Sequence, residues 1–287
     1  MAGTVCLTFD FDAISVWIAR NMLTPATVSR GEFGAYAIPR ILQTLKSQEI
    51  PSTWFIPGHT IETYPTESKS IRDAGHEIGL HGYAHENVSA LDAEAERAMF
   101  ERSLQALEST LAIRPSGNRT PSWDFSPVTL DILVHLGLQY DSSLMGADYS
   151  PYYCRSGDLV RPDAPTVFGR PTSVVQVPVS WSLDDFPAFE FLRTASHVIP
   201  GLASAGSVFR NWLDDVRYML ERFDNGVVTI TMHPQVIGRG HRMLGLEWLI
   251  AELQSLGVIF STVGEVAARF RAGEKFGILR QTGAVRG

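Results

Sequence analysis

Two carboxylates at the end of an early apolar run are the first residues in the chain that could do chemistry. The sequence Thr8-Phe9-Asp10-Phe11-Asp12 places two aspartates two positions apart, and residues with this spacing on extended chain point to the same face. Parallel α/β folds carry their sites at the carboxyl ends of strands. Two neighbouring carboxylates repel each other unless a cation or a proton lies nearby. The pair is therefore predicted to divide into a metal ligand and a general base, with a solvated turn as the alternative.

Two histidines four positions apart follow another strand-like run. Residues 77–80 are predicted to be a strand that delivers His81, and the next turn delivers His85. On one helical turn this spacing points both imidazoles at one ion. Gly82 follows His81, so this segment lacks the His-Glu-x-x-His arrangement of the zinc proteases. One aspartate and two histidines leave coordination positions open, which is typical of a catalytic metal site.

Other polar residues follow later strand-like runs. Arg119 could pair with a carboxylate and lower its pKa, or bind an anionic part of a substrate. Asp184 and Asp185 come after one predicted strand, and His233 closes another. Because histidine titrates near neutral pH, His233 could protonate the leaving nitrogen in amide hydrolysis.

The elements that must position these residues alternate between short β-branched runs and amphipathic segments, a pattern typical of βα units around a parallel sheet or barrel. The predicted strands are 4–9, 52–56, 77–80, 138–140, 174–177, 227–232 and 258–261. The predicted helices are 35–48, 66–74, 92–111, 127–136, 207–223, 246–256 and 263–271. With no internal repeat or linker, the pattern predicts a single α/β domain over residues 1–287. Residues 148–178, rich in Tyr, Pro, Gly and Arg, are predicted to be either a lid or binding wall or a structural excursion.

Composition limits the classes of partner. The chain has 24 Lys+Arg and 31 Asp+Glu, for a net charge of −7, and 45% hydrophobic residues, which is typical of a globular protein. Without long basic runs, nucleic acid and membrane surfaces are predicted not to be partners. Cys6 and Cys154 do not form a disulfide framework. The first strand begins almost at once, leaving no room for a signal peptide, and no apolar stretch of about 18 residues occurs, so a cytoplasmic location is expected.

Five motifs in order along the chain resemble the polysaccharide deacetylase family (NodB homology, carbohydrate esterase 4-like). They are Phe-Asp-Phe-Asp at 9–12, His81-x-x-x-His85, Arg119-x-Pro121, Trp181 with Asp184 and Asp185, and Thr231-x-His233. Strings at 57–63, 73–77 and 150–153 resemble more closely the branch with Helicobacter-type peptidoglycan deacetylase, cyclic imidases and metal-independent allantoinases. The resemblance implies a distorted (β/α)7 barrel, a divalent metal ion, usually zinc, and hydrolysis of an amide carbon–nitrogen bond.

The resemblance also implies a role for each matched residue. Asp12, His81 and His85 match the metal ligands, Asp10 matches the general base, and Arg119 matches the residue that tethers this base.

His233 matches the general acid. Either Asp184 or Asp185 would orient this histidine, and Asp185 is predicted to have this role. Trp123 and Trp181, on predicted site loops, are candidates for stacking on a ring.

Departures from the family pattern direct the prediction toward the intracellular branch. One residue is inserted between the carboxylates, in Thr-Phe-Asp-Phe-Asp-Ala, so the roles of Asp10 and Asp12 could be exchanged. The position after Arg-x-Pro, often an aromatic residue that is a backbone oxyanion donor, is here Ser122. Tyr152, in the Tyr/Pro-rich segment, is also predicted to bind substrate.

The predicted function is metal-dependent N-deacetylation of an acetylated sugar. The alternative is ring opening of a cyclic imide or ureide, in a pocket closed by residues 148–178 or by a neighbouring subunit. A barrel that binds carbohydrate without catalysis is disfavoured because Asp10, Asp12, His81, His85 and His233 are all present. The intracellular branch also implies a homo-oligomer, either a tetramer or a dimer.

Overall fold

A strand that is buried along its whole length begins the fold. All seven residues of Thr4–Asp10 are buried, as expected for a central strand of a parallel sheet whose two faces are both covered. The computed structural model describes residues 3–193 and 198–281. Within these ranges no helix is long and apolar enough to cross a membrane.

Residues 3–193 and 198–281 contain fifteen strands, numbered in chain order. They are Thr4–Asp10 (β1), Thr53–Ile56 (β2), Glu77–Leu80 (β3), Gly117–Asn118 (β4), Tyr140–Asp141 (β5), Tyr152–Ser156 (β6), Leu159–Arg161 (β7), Ala164–Val167 (β8), Arg170–Gln176 (β9), Leu192–Arg193 (β10), Val198–Ile199 (β11), Phe223–Asp224 (β12), Val227–Met232 (β13), Ile259–Phe260 (β14) and Ile278–Leu279 (β15).

In the same described ranges, eleven α-helices lie between and after these strands. They are Ser15–Ile18 (α1), Pro25–Ser47 (α2), Gly58–Thr63 (α3), Pro65–Asp73 (α4), Ala93–Leu111 (α5), Thr129–His135 (α6), Asp185–Phe189 (α7), Ala205–Arg222 (α8), Pro234–Ile237 (α9), Gly240–Ser255 (α10) and Val263–Arg271 (α11). Short 3-10 turns occur at Val88–Ala90, Pro121–Trp123 and Trp181–Leu183.

The main sheet has nine strands in the order β13-β1-β2-β3-β4-β5-β9-β6, and β14 also pairs with β1. All its pairings are parallel except that of β6 with β9. Helices follow most of the parallel strands, and the large core includes residues from both. This is the architecture of the predicted distorted (β/α)7 barrel, and the α/β prediction is confirmed. The predicted strands missed β4, which has only two residues and therefore no visible alternation.

Residues 148–178 do not form an irregular excursion, and most of the strands in this segment were not predicted. They contain the antiparallel pair of β6 and β9 and the hairpin of β7 and β8. Tyr/Pro-rich composition hid the strands because β7 and β8 are exposed on both faces and show no apolar alternation.

Helix α2 supports the turn that follows the two catalytic-candidate carboxylates. It begins at Pro25 rather than at the predicted residue 35, because Gly31 and Gly34 weaken the helical pattern of its first half. Gly31 packs directly on the chain after Asp12: an added Cβ would lie 2.7 Å from the carbonyl oxygen of Ala13 and from the backbone of Ile14. This close approach requires glycine.

Gly31→Ala is expected to destabilise the fold by about 1–3 kcal/mol, because backbone must shift to admit the methyl group. In an open helix the same change would stabilise by up to about 1 kcal/mol. Gly206→Ala in α8 is the matched control, since its Cβ would meet only the end of Arg210 at 3.7 Å. Urea unfolding of the two variants should move the midpoint in opposite directions, and equal midpoints would contradict the packing assigned to Gly31.

Candidate active site

Strand β1 delivers both aspartates to one end of the sheet. Asp10 is its last residue and Asp12 lies two positions beyond it, and both side chains are buried. The backbone carbonyl of Asp12 accepts hydrogen bonds of 2.7 Å from the hydroxyls of Ser15 and Thr60. The turn that carries Asp12 is therefore fixed from two sides.

Arg119 is a fully buried guanidinium that holds Asp10. Its Nη1 donates to Asp10 Oδ1 at 2.7 Å and to the Thr8 hydroxyl at 2.9 Å. Its Nε donates to the carbonyl of Ser142 at 2.8 Å, and its Cζ lies 4.3 Å from the centre of the Phe55 ring. One carboxylate oxygen of Asp10 is therefore bound by Arg119, whereas Arg119 does not pair with Asp12.

His81 and His85 both face Asp12. His81 Nδ1 donates to the carbonyl of Arg119 at 2.7 Å, which directs its Nε2 lone pair toward Asp12 Oδ1 at 3.3 Å. His85 Nε2 lies 3.7 Å from Asp12 Oδ2. The expected helical turn is wrong: the segment is irregular, and Gly82 (φ 67°) and His85 (φ 60°) adopt left-handed backbone. The histidines converge because of these two turns and not through helical spacing.

Asp12, His81 and His85 fit a divalent metal ion. Asp12 Oδ1 and His81 Nε2 are buried and have no hydrogen-bond partner in the described part of the chain, a costly state that a metal ion would relieve. The ligand atoms of all three residues lie within 4.8 Å of one another. Burial lowers the pKa of His85 to about 4, which keeps its imidazole neutral and able to coordinate.

The carboxylate of Asp12 is ionised in this setting. Burial alone would raise its pKa, but the histidines His85, His81 and His233 more than offset burial and hold the pKa below its usual range. An ionised, partly unpaired carboxylate with two histidines is a suitable donor set for zinc and similar ions.

His233 lies at the end of β13, and Asp185 orients it. Its Nδ1 is 2.7 Å from Asp185 Oδ1, and its backbone N–H donates to the same carboxylate at 3.0 Å. A parallel bridge between Asp184 and Thr231 brings this segment beside β13. Asp184 lies farther from Nδ1, at 3.6 Å, and its Oδ1 accepts from the backbone of Phe186 at the start of α7. The spacing left this choice open, and the geometry favours Asp185.

The acidic pair changes the proton affinity of His233. Burial would lower the pKa of this histidine, but the carboxylates of Asp184, Asp185 and Asp12 outweigh burial and raise it to about 10. Burial also raises the pKa of Asp184 to about 7, helped by the charge of Asp185. Asp184, Asp185 and His233 form a second buried cluster with ligand atoms within 4.8 Å, but Asp185 already engages the His233 Nδ1 that a metal ion would need.

A cavity of about 40 Å³ joins these groups and brings together most of the predicted residues. It is lined by Asp10, Asp12, His81, His85, Trp123, Trp181, Asp184 and His233. The rings of Trp123 and Trp181 stack with centroids 4.2 Å apart, and Trp181 is 44% exposed while Trp123 is buried.

Tyr152 is placed elsewhere, and no residue of 148–178 lines the cavity. The Tyr152 hydroxyl accepts from the backbone of Gly146, and the ring lines a separate groove next to Cys154 and Phe168. The antiparallel pairing of β6 with β9 carries Tyr152 to the edge of the sheet.

Several lining residues were missed from the sequence. Val16, Arg20, Ser122 and Phe186 also line the cavity, and Gln235 donates to Asp12 Oδ2 at 3.5 Å. The backbone of Ser122 is left-handed (φ 55°), a conformation that no local sequence pattern predicts. Gln235 had a weak signal, since it lies two residues after His233 at the start of α9, whereas Arg20, beyond α1, had none.

Comparison with known proteins gives consistent matches. The family model of polysaccharide deacetylases matches residues 2–140. A peptidoglycan deacetylase of Helicobacter pylori is 35% identical over 91% of this chain and 94% of its own length. A peptidoglycan deacetylase-like protein of Gibberella zeae is 33% identical over 93% of this chain and 86% of its own length.

The structural comparison agrees. A crystal structure from Mycobacterium smegmatis, assigned to the polysaccharide deacetylases, superposes with a TM-score of 0.79 and 31% identity and covers 98% of this chain and 94% of its own. The predicted resemblance is thereby confirmed, and so is the prediction of an enzyme. The chain belongs to the polysaccharide deacetylase family, whose deacetylases are metal-dependent hydrolases of amide carbon–nitrogen bonds other than peptide bonds.

Proposed function

We propose that this chain is a zinc-dependent N-deacetylase of an acetylated amino sugar, and that residues 1–287 form one catalytic domain. Asp12, His81 and His85 would hold the metal ion. The observation that carries this proposal is the pair of buried, unpartnered atoms Asp12 Oδ1 and His81 Nε2, 3.3 Å apart, beside an Asp10 that Arg119 holds in place.

Asp10 is the proposed general base. Asp12, His81 and His85 would hold a divalent metal ion beside it, which would supply polarisation of the substrate carbonyl and a lowered pKa of bound water. Asp10 Oδ1 is committed to Arg119, so Oδ2 accepts the proton of the attacking water; this oxygen lies 3.8 Å from His81 Nε2 and 4.0 Å from His233 Nε2. Arg119 therefore positions the base.

His233 is the proposed general acid. Its Nδ1–H is donated to Asp185, which directs Nε2 into the cavity, 3.7 Å from Asp12 Oδ2. The high proton affinity that Asp184 and Asp185 give to this imidazole suits it to hold a proton until the leaving nitrogen takes it. Trp123 and Trp181 would receive the ring face of the sugar at the mouth of the cavity.

Substrate analysis tests the proposal. The names of the Helicobacter and Gibberella relatives support an acetylated amino sugar as substrate. Zinc-loaded protein would be incubated with N-acetylglucosamine oligomers and with simple cyclic imides, and the products measured by mass spectrometry. The His81→Ala protein, purified in the same way, controls for contaminating enzymes. Loss of acetyl from an oligomer supports the proposal. An imide that gains one water while the oligomers stay intact would contradict it and establish ring opening.

Trp181→Ala is expected to raise KM for N-acetylglucosamine oligomers about 2- to 10-fold with little change in kcat, because one stacking face is lost while the metal and proton-transfer groups stay in place. The matched control is Trp248→Ala, in α10, whose side chain is 40% exposed and does not line the cavity. Steady-state kinetics of both variants check this, and a kcat loss larger than the KM change would place Trp181 in the chemistry instead.

A cytoplasmic location and a homo-oligomeric assembly complete the proposal. Cys6 and Cys154 are both buried free thiols, which suits a reducing compartment. The β7–β8 hairpin exposes Leu159, Val160 and Val167, an apolar surface that a second copy could cover. Size-exclusion chromatography with light scattering is expected to give a dimer or tetramer, and a monomer at micromolar concentration would contradict this part.

A further inference from the structure

We propose that Arg20 binds a carboxylate on the substrate, so that the preferred substrate is an amide that carries an anionic group beside the scissile bond. This inference rests on the proposed function, because it concerns the same cavity. It names a residue for which neither the family motifs nor the sequence pattern gave a role.

Arg20 is held at the wall of the catalytic cavity. It follows α1, the short helix that begins three residues after Asp12. Its Nη1 donates to the carbonyl of Val16 at 2.9 Å, and its Cζ lies 5.6 Å from the centre of the Phe186 ring. Val16 and Phe186 also line the cavity. Arg20 is an exposed residue, and this hydrogen bond and ring contact hold its guanidinium beside the cavity.

The charge of Arg20 has no partner of opposite sign within residues 3–193 and 198–281. No carboxylate there lies within 4.0 Å of its nitrogens, and the bond to Val16 uses one of its five N–H donors. Arg119, by contrast, is paired with Asp10 at 2.7 Å. An oriented guanidinium with unused donors beside a reactive site is suited to bind a carboxylate through charge-assisted hydrogen bonds.

The cavity has two distinguishable sides. Arg20 lies on the side formed by α1, where Val16, the residue whose carbonyl it binds, also lines the cavity. The tryptophan pair lies toward Arg119, whose Cζ is 5.8 Å from the centre of the Trp123 ring. A substrate whose ring rests on the tryptophans and whose carboxylate reaches Arg20 would place its amide between them, over Asp10 and Asp12.

The test is a binding measurement that does not depend on turnover. Zinc-loaded Asp10→Asn protein would be titrated by calorimetry with two matched pairs: N-acetylmuramic acid against N-acetylglucosamine, and 5-carboxymethylhydantoin against hydantoin. Each pair differs by a carboxylate-bearing group, and together they separate a sugar from a ring ureide as its source. The titrations are repeated with two double variants, in which Arg20→Gln or Arg20→Lys is combined with Asp10→Asn. Arg161→Gln, an exposed position on β7, controls for net charge.

In at least one pair the anionic member is expected to bind about tenfold more tightly than the neutral one. This preference should fall to about onefold in Arg20→Gln, persist in part in Arg20→Lys and be unchanged in Arg161→Gln. A preference that survives Arg20→Gln comes from the metal ion and overturns the inference, as does equal binding of both members. Acetyl release from neutral oligomers without any Arg20-dependent preference would leave the proposed function standing and refute only this inference. Arg20-dependent binding without hydrolysis of any substrate would support this inference and refute the proposed function.

Discussion

His81→Ala is expected to lose the metal ion and the hydrolase activity together. Its Nε2, like Asp12 Oδ1, is buried and has no hydrogen-bond partner among the described residues, and its Nδ1 is fixed by the carbonyl of Arg119. Removing a ligand from a site with only three protein donors takes away the ion that stabilises the transition state by several kcal/mol, so kcat/KM should fall by about 10³-fold or more. Metal content by mass spectrometry and acetate release would be measured on the same sample.

Asp10→Asn is the paired variant for this prediction. It keeps Asp12, His81 and His85, and the amide oxygen can still accept from Arg119, so the protein should retain one metal ion per chain. Turnover should fall by about 10²- to 10⁴-fold, as expected for loss of a general base. Thermal melts establish that both variants are folded. A metal-free Asp10→Asn protein together with an active His81→Ala protein would show that the two aspartates have exchanged roles or that the site is elsewhere.

His233→Ala is expected to lower kcat on acetamide substrates by about 10²- to 10⁴-fold and to affect activated esters far less. An amine is a poor leaving group unless it is protonated, whereas a nitrophenolate leaves without a proton. Acetylated amino sugar and p-nitrophenyl acetate would be compared as substrates of the same metal-loaded preparation. Because His233 is not among the three proposed metal ligands, the metal content of the His233→Ala protein should equal that of the unmodified protein.

The two aspartates beside His233 provide the control. Asp185→Asn removes the charge at 2.7 Å from Nδ1 and should reproduce part of the same amide-selective loss. Asp184→Asn changes a residue whose side chain caps α7, and because asparagine is also a good cap, it should have a smaller effect on kcat. Equal losses on the amide and on the ester in His233→Ala would contradict the general-acid role and point to a role in binding or folding.

Local patterns sufficed for much of the fold. β1, β3 and β13 are buried runs of apolar and β-branched residues bounded by polar ones, so their limits were predicted to within one residue. Helix α5 matched closely because Asp92 caps it and its apolar positions recur with helical period. The start of helix α2 and the strand β4 were not predicted. A glycine packed on a distant backbone and a strand of two residues are recognisable only in the assembled structure.

The sequence by itself determined which reactive residues are present: two aspartates at the end of β1, two histidines after β3, an arginine, an acidic pair and a histidine after β13, in the order of a known family. Only the tertiary structure decided which of these residues lie in contact. Arg119 approaches Asp10 and not Asp12, and Asp185 rather than Asp184 reaches His233. It also removed Tyr152 from the cavity and added Arg20. The reason is that residues far apart in the chain meet through strand order and backbone turns, which depend on long-range packing that no local pattern encodes.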